Sequence, residues 1–544
     1  MTNKEIAKQF DLLASIMELL EENAFKIRTY QNAYLGLRKW DIPLKNMSIE
    51  EMSAIPGVGK SSAEKIQEAL QNGEIQALSA IKEKVPSGVV EMLKINGLGP
   101  KKVRQIWKEL GIESVVELLY ACNENRLIEV KGFGLKTQQE LTQKINFYLQ
   151  SQGQFLYANL DKLESTVFLA FENPFWTRVG LFGRQLPVLN QMEYLTSEIP
   201  VVKRDQSEIT LVKVDGNRWS FECQGIPIIT YVVDGDDFEK VKWEMSASEE
   251  FLRFTQKDLT NIEWADIMYD KSIFEILKKP YVPVECRESY ILDQWDGFNS
   301  LDLITPGDIK GIVHNHSTWS DGIHTLEEMA MECRRLDYSY FVISDHSKSA
   351  GYANGLSVER LFQQWEEIDF LNKKMEPFKT YKGIESDILV DGRLDYEDEI
   401  LKQFDLVVAS VHSVLNMDEE KATQRLITAI ENPYTRILGH PTGRLLLSRK
   451  GYPLDMLKII DACAANNVVI ELNANPYRLD LDWTWIAPAM KKGVMISINP
   501  DAHSRGGIQD VNYGVIAARK GGLTKEFCLN AKSQSEWETW LRSK

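Results

Sequence analysis

The chain has 544 residues, with 63 Lys+Arg against 79 Asp+Glu and a formal net charge of −16. That length points to two to four domains, no apolar run approaches the ~20 residues of a membrane span, and the N-terminal MTNKEIAKQF has no hydrophobic signal region. The six cysteines are scattered without a C-x-x-C pair, which argues against a disulfide framework or a cysteine zinc site and suits a reducing, cytoplasmic setting.

In chain order, EIAKQFDLLASIMELLEEN predicts a helix, with apolar residues at threes and fours. Three related stretches follow: IPGVGKSSAEKI at 55–66, INGLGPKKVRQI at 95–106 and VKGFGLKTQQEL at 130–141. Each sets apolar-x-Gly-x-Gly ahead of a helix that begins near a lysine. The glycines permit backbone angles closed to other residues and leave the turn bare, so a phosphate can approach the N–H groups of the helix start. Gly57, Gly59 and Lys60, and Gly97, Gly99, Lys101 and Lys102, are therefore candidate contacts to a DNA backbone, gripped without base readout. The third copy, at Gly132 and Gly134, reads equally as a structural corner. Residues 1–150 hold 20 basic and 19 acidic residues and the remainder 43 and 60, so the acidic excess lies away from these turns. The three stretches resemble helix-hairpin-helix motifs.

LLEENAFKIRTYQNAYLGLRKW, followed by AIPGVGKSSAEKI, resembles the small N-terminal domain of family X DNA polymerases. Some members carry a Schiff-base lysine there, and the resemblance puts Lys65 at the matching place. By its residues alone Lys65 is a solvated helix lysine, and its pKa must fall before it can act as an amine nucleophile. A helical, lyase-like domain is expected over 1–80 and a fingers-like helical domain over 81–150.

EITLVKVDGNRWSFECQGIPIITYVVDG, 208–235, alternates as strands broken at Asp215-Gly216 and near Gly225. An α+β, nucleotidyltransferase-like palm is expected over 151–280, then a linker over 281–308. Nucleotidyl transfer needs two cations bridged by clustered carboxylates. Aligned with the family, VGLFGRQLPVLNQMEYL has Leu181 at the serine position and Gln191 and Glu193 at the two Asp-x-Asp positions, and the third aspartate falls near Ile229. No Asp-x-Asp occurs in 151–230, so loss of polymerase activity is expected, with a gap-filling polymerase as the alternative.

All seven histidines lie between 314 and 503. From 311 onward short apolar runs alternate with helical segments, the pattern of parallel β/α units whose strand ends converge on one face. His314 and His316 end the first run and Asp321 follows. His346, Glu385, His412 and His440 end later runs, and Asp501 and His503 close the series; His324 alone sits apart, at a helix start. Residues i and i+2 of a strand share a face, so His314 and His316 can share a cation, as can Asp501 and His503. Mixed imidazole and carboxylate ligation suits Mn²⁺ or Zn²⁺ better than Mg²⁺.

HNHSTWSDG, SDHS, GIESDI, ASVHS, GHPTGR and DAHS, in this order, resemble the PHP domain, a distorted seven-stranded β/α barrel, expected here over 309–544. The resemblance implies three divalent ions. His314, His316, Glu385 and Asp501 would hold one, Glu385, His412 and His440 the second, and Asp321, His346 and His503 the third. It implies phosphodiester hydrolysis with Glu385 and Asp501 at its centre and Arg444 or Arg478 neutralising a phosphate, unless those arginines are rim salt bridges. The whole chain resembles a bacterial family X DNA polymerase with a C-terminal PHP domain. That implies a 3′-to-5′ exonuclease of DNA repair, with abasic-site cleavage or 3′-phosphate removal as variants. The alternatives are a small-metabolite phosphatase and a non-catalytic DNA-binding scaffold. DNA is the expected partner, with no membrane, and the chain is expected to be a monomer.

Overall fold

Apolar residues at helical spacing build the front of the chain. Helix Asn3–Leu19 opens on a capping box between Thr2 and Glu5 and buries Ile6, Phe10, Leu13 and Met17 along one stripe. In the computed structural model, which describes residues 1–544 except 124–126, 128–131, 152, 173, 204–207, 261, 268, 448–449 and 544, the chain forms two compact units, Met1–Gln152 and Gly153–Lys544.

One apolar core runs through the first unit from Ile6 to Ile145. Helices Lys60–Asn72 and Pro100–Leu110 start directly after Gly59 and Gly99, and neither start has a side-chain cap. The Ser62 N–H donates to the Gly59 carbonyl at 2.9 Å and Pro100 has no N–H, so the Lys60, Ser61, Lys101 and Lys102 N–H groups are the ones without a side-chain cap. Gly57 and Gly97 hold φ of +85° and +89°, and a Cβ on Gly57 would stand 2.4 Å from the Asn32 carbonyl oxygen. Only glycine fits that turn. Gly132 repeats the conformation at φ +92°; the start of its stretch, residues 130–131, lies outside the described residues.

The second unit begins with the predicted α+β layer. Its five-stranded sheet runs Thr177–Arg178, Met192–Thr196, Ile226–Val232, Arg218–Cys223 and Ile209–Asp215, with helix Tyr157–Ala170 against it. Met192–Thr196 and Ile226–Val232 pair in parallel, which sets Glu193 beside Ile229. Residues 284–308 follow as a series of 3-10 turns. They are tied to the last part of the chain by buried charge. Lys520 Nζ, on helix Val511–Lys520, lies 2.5 Å from Glu288 Oε1, and Arg184 Nη2 of the α+β layer lies 2.6 Å from Glu288 Oε2.

Seven parallel strands then follow in chain order: Gly311–Ile312, Tyr340–Ile343, Lys379–Asp387, Leu406–Ser410, Ile437–Leu438, Val469–Asn473 and Ile496–Asn499. Asn315 bridges Ala502, and the His316 N–H donates to the Ala502 carbonyl at 2.9 Å, so the first and last strands nearly close a barrel. Strands covered on both faces need continuous apolar runs, which is why YFVI and LVVAS are fully buried. The loops leaving the strands' C-terminal ends carry the polar residues. Among the described residues, no helix is long and apolar enough to cross a membrane.

Candidate metal centre

Glu385 is the hub of the barrel mouth. Its Oε1 lies 3.2, 3.1 and 3.0 Å from Nε2 of His314, His412 and His440, and its Oε2 lies 3.0 Å from His346 Nδ1 and 3.6 Å from His316 Nε2. Asp501 Oδ1 lies 3.0 Å from His316 Nε2 and 3.8 Å from His314 Nε2. Asp321 Oδ1 lies 3.3 Å from His503 Nε2 and 3.7 Å from His346 Nε2. Three sets have ligand atoms within 4.8 Å of one another: His316, Asp321, His346 and His503; His314, His316 and Asp501; and His346, Glu385 and His412. His316 and His346 are therefore each shared between two sets. The sequence expectation gave each of them to a single ion.

A divalent cation fits this donor set. His314 Nε2 and both ring nitrogens of His316 are fully buried without an aligned hydrogen bond, a costly state for a polar atom that has no other partner. The backbone is strained to point these groups inward: His314, His440 and Asp501 have φ of 61°, 21° and 51°.

A second layer of side chains fixes the imidazoles, as metal ligands require. Glu471 Oε2 holds His314 Nδ1 at 2.6 Å and Asp387 Oδ1 holds His412 Nδ1 at 2.5 Å. Asn473 Nδ2 donates to Asp501 Oδ2 at 2.9 Å. Asp345 accepts from the Ser317 N–H and hydroxyl at 2.7 and 2.8 Å and from Gln364 at 2.7 Å, fixing the loop that leads to Asp321. Asp387 had a visible signal, since it stands two residues after Glu385 on the same strand face. Glu471 had none; an acid inside VVIELNA gives no hint of a histidine far away in the chain.

Charge in the cluster follows the pairing. Burial raises the Glu385 carboxyl, but His412, His314 and His346 outweigh it and hold it well below the ordinary range. Burial likewise lowers His412 and His503, yet Glu385 and Asp387 lift the first to about 10, and Asp321 and Asp501 the second to about 9. Burial, with His503 and His346 alongside, pushes His316 down to about 3. Burial also lowers His314, but Glu471, Glu385 and Asp501 outweigh it and lift the ring well above the ordinary range. Without metal at pH 7, His314, His412 and His503 thus carry protons, and a cation must displace them. Loading with Mn²⁺ at pH 7 is expected to release about three protons per chain, and affinity to climb with pH through the range of about 9–10 in which His503 and His412 deprotonate. Calorimetry in buffers of different ionisation enthalpy reads this directly; identical heats in all buffers would contradict it.

Comparison with known proteins agrees with both ends of the chain. A helix-hairpin-helix domain model matches residues 1–75, and a SAM-like helix-hairpin-helix tandem model matches 89–146. The DNA polymerase/3′-5′ exonuclease PolX of Bacillus subtilis (strain 168) is 34% identical over a 571-residue alignment covering 100% of both chains. The chain belongs to the bacterial family X DNA polymerases with a C-terminal PHP domain. Among further relatives, a probable phosphatase of Thermoanaerobacter sp. (strain X514) is 28% identical over 40% of this chain and 89% of its own. One of Clostridium novyi (strain NT) is 29% identical over 43% and 94%. Membership places the chain among phosphoesterase and nuclease enzymes.

The polymerase half of this family X chain departs from a two-cation site. Glu193 Oε2 accepts from the Leu181 N–H at 3.2 Å, and Gln191 Nε2 donates to Glu193 Oε1 at 3.0 Å. Ile229 is the neighbour of Glu193 in the sheet. Among the described residues, no group of three or more His, Cys, Asp or Glu ligand atoms gathers at these positions. Lys65 is half-buried on helix Lys60–Asn72. Arg444 is committed to the rim: it pairs with Asp482 and donates to the Arg478 and Leu479 carbonyls. Of the two arginines considered, Arg478 is the one that reaches the cluster, with Nε 3.9 Å from Asp501 Oδ2.

Proposed function

We propose that this family X protein is a divalent-metal-dependent phosphodiesterase that shortens DNA from its 3′ end in cytoplasmic DNA repair. The observation that carries this is the gathering of six histidines, Asp321 and Asp501 around Glu385 at the barrel mouth. Three Mn²⁺ or Zn²⁺ ions are proposed for these nine ligands. When bound, such ions supply Lewis acidity and a water nucleophile at neutral pH. The chain's own residues do the rest. Glu385 and Asp501 would hold the ions together with the histidines, Glu471 and Asp387 orient the His314 and His412 rings, and Arg478 would offer a cation to the phosphate. Gly57, Gly59, Lys60, Gly97, Gly99, Lys101 and Lys102 would grip the sugar-phosphate backbone, a use for hairpins that a small-metabolite phosphatase lacks.

Polymerase activity is proposed to be lost. Glu193 is spent on the 180–181 turn and Ile229 brings no charge, so two cations have nothing to bridge them. A second reading, removal of terminal phosphates, is favoured by the names of the relatives that match the barrel.

Purified protein with Mn²⁺ and an end-labelled primer-template, with and without nucleotides, separates these readings. Stepwise shortening, lost in Asp501→Ala/His503→Ala, is expected. Extension in the presence of nucleotides would restore the polymerase, loss of a 3′ phosphate alone would favour the phosphatase, and retention on DNA without any change would leave a scaffold.

A further inference from the structure

Most ligands of the metal centre are buried, with Asp321 exposed and His412 and His503 partly so, and exposed apolar side chains stand close to the cluster along the chain. Ile323 stands two residues after Asp321, Val414 two after His412, and Tyr477 directly before Arg478; they are 40%, 55% and 60% exposed. An isolated exposed apolar residue is ordinary, whereas several around one polar mouth mark a binding surface.

Two of them are held rigidly. Val414 has φ +52°, a conformation that a β-branched residue almost never adopts. Its loop is fixed by Arg425, whose Nη1 donates to the Ser413 carbonyl at 3.0 Å. The Tyr477 turn is braced on three sides. Its N–H donates to Asn475 Oδ1 at 3.0 Å, its carbonyl accepts from the Leu446 N–H at 2.6 Å, and the next carbonyl, of Arg478, accepts from Arg444 Nε at 3.0 Å. The loops also touch in series: a Cβ on Gly443 would meet Leu415 Cδ2 at 3.9 Å, so the 412–417 loop packs on the 440–447 loop that in turn holds Tyr477. Arg444, which touches no ligand, thereby has a task in bracing this turn.

We propose that Tyr477 is a stacking platform for the base of the terminal nucleotide, with Val414 as an apolar contact on the neighbouring loop. This rests on the nuclease function proposed above. The phosphodiester would face Arg478 and the Glu385 cluster, and the attached base would leave the mouth over the exposed ring. Every base has a π face, so such a platform holds any terminal nucleotide. Bracing the turn in advance removes the ordering cost that a free loop would bring to binding.

The test uses the full chain with Mn²⁺ and two single-stranded oligonucleotides, identical except that one lacks the base on its 3′-terminal nucleotide. For the wild type, kcat/KM on the base-bearing end is expected to exceed that on the baseless end by about tenfold, the scale of one base–aromatic stack. In Tyr477→Ala the ratio is expected to fall to about one, and in Tyr477→Phe to stay near the wild-type value, with metal content equal in all three. A wild-type ratio near one, or a ratio that survives Tyr477→Ala, overturns the platform and leaves the nuclease standing. Failure of the wild type to cut either oligonucleotide overturns the nuclease function, and the platform with it.

Discussion

Glu385→Ala is expected to lower DNA shortening by about a thousandfold or more, roughly 4 kcal/mol of transition-state stabilisation. Five histidine nitrogens lie within 3.6 Å of its two carboxylate oxygens, so among the described residues no other acid of the cluster faces as many imidazoles. Its loss removes the bridging anion and also leaves neighbouring imidazoles to repel one another. His314, which burial lowers but Glu471, Glu385 and Asp501 lift, would keep Glu471 and Asp501 beside it, whereas His412 would lose the largest influence that lifts it and retain Asp387. Glu385→Gln should fare little better, since it keeps the shape and loses the charge. Elemental analysis after gel filtration, alongside the cleavage assay, checks this: a variant with its full complement of ions and activity within tenfold of wild type would show that Glu385 is not the hub.

Glu288→Ala is expected to give the largest loss of stability, about 3–5 kcal/mol, as when a buried ion pair loses one partner. Glu288 is nearly inaccessible and faces two cations, Lys520 at 2.5 Å and Arg184 at 2.6 Å. Lys520 is completely buried, so removing the carboxylate leaves its charge with no anion beside it, facing the Arg184 and Glu285 carbonyls at 3.0 and 3.4 Å and the Trp483 ring at 4.5 Å. Lys520→Met should cost less, because Glu288 would keep Arg184. Urea unfolding followed through the tryptophans would read the difference. If Glu288→Ala shifts the midpoint no more than Lys520→Met does, the two cations do not depend on a shared carboxylate. The same network joins the α+β layer to the barrel.

How the chain divides between these tasks was partly visible beforehand. The hairpin turns were legible because the requirement is local: a φ of +85° at Gly57, with Asn32 pressed against it, can be met by one residue type, and that residue stands in the sequence. That the nine proposed ligands gather was legible from their distribution: histidines confined to 314–503, all but His324 close after a short apolar run, point to one site. The expected strand alternation is not how they meet, because His314 and Asp501 lie past the ends of their strands with φ of 61° and 51°.

Partner choice across the barrel was not legible. His314 and Glu471 are 157 residues apart, and Glu288 and Lys520 232 apart. Nothing in the neighbourhood of either acid tells a buried partner from a solvated one. The same holds for the sharing of His316 and His346 between ion sets and for Arg444, whose three donors turn to the 478–482 rim. Histidines and acids placed just after successive apolar runs are written in the sequence, so the sequence alone determined which side chains gather at the barrel mouth. Ångström-scale pairing of charges depends on how the strands close, so only the tertiary structure decided which of those side chains meet.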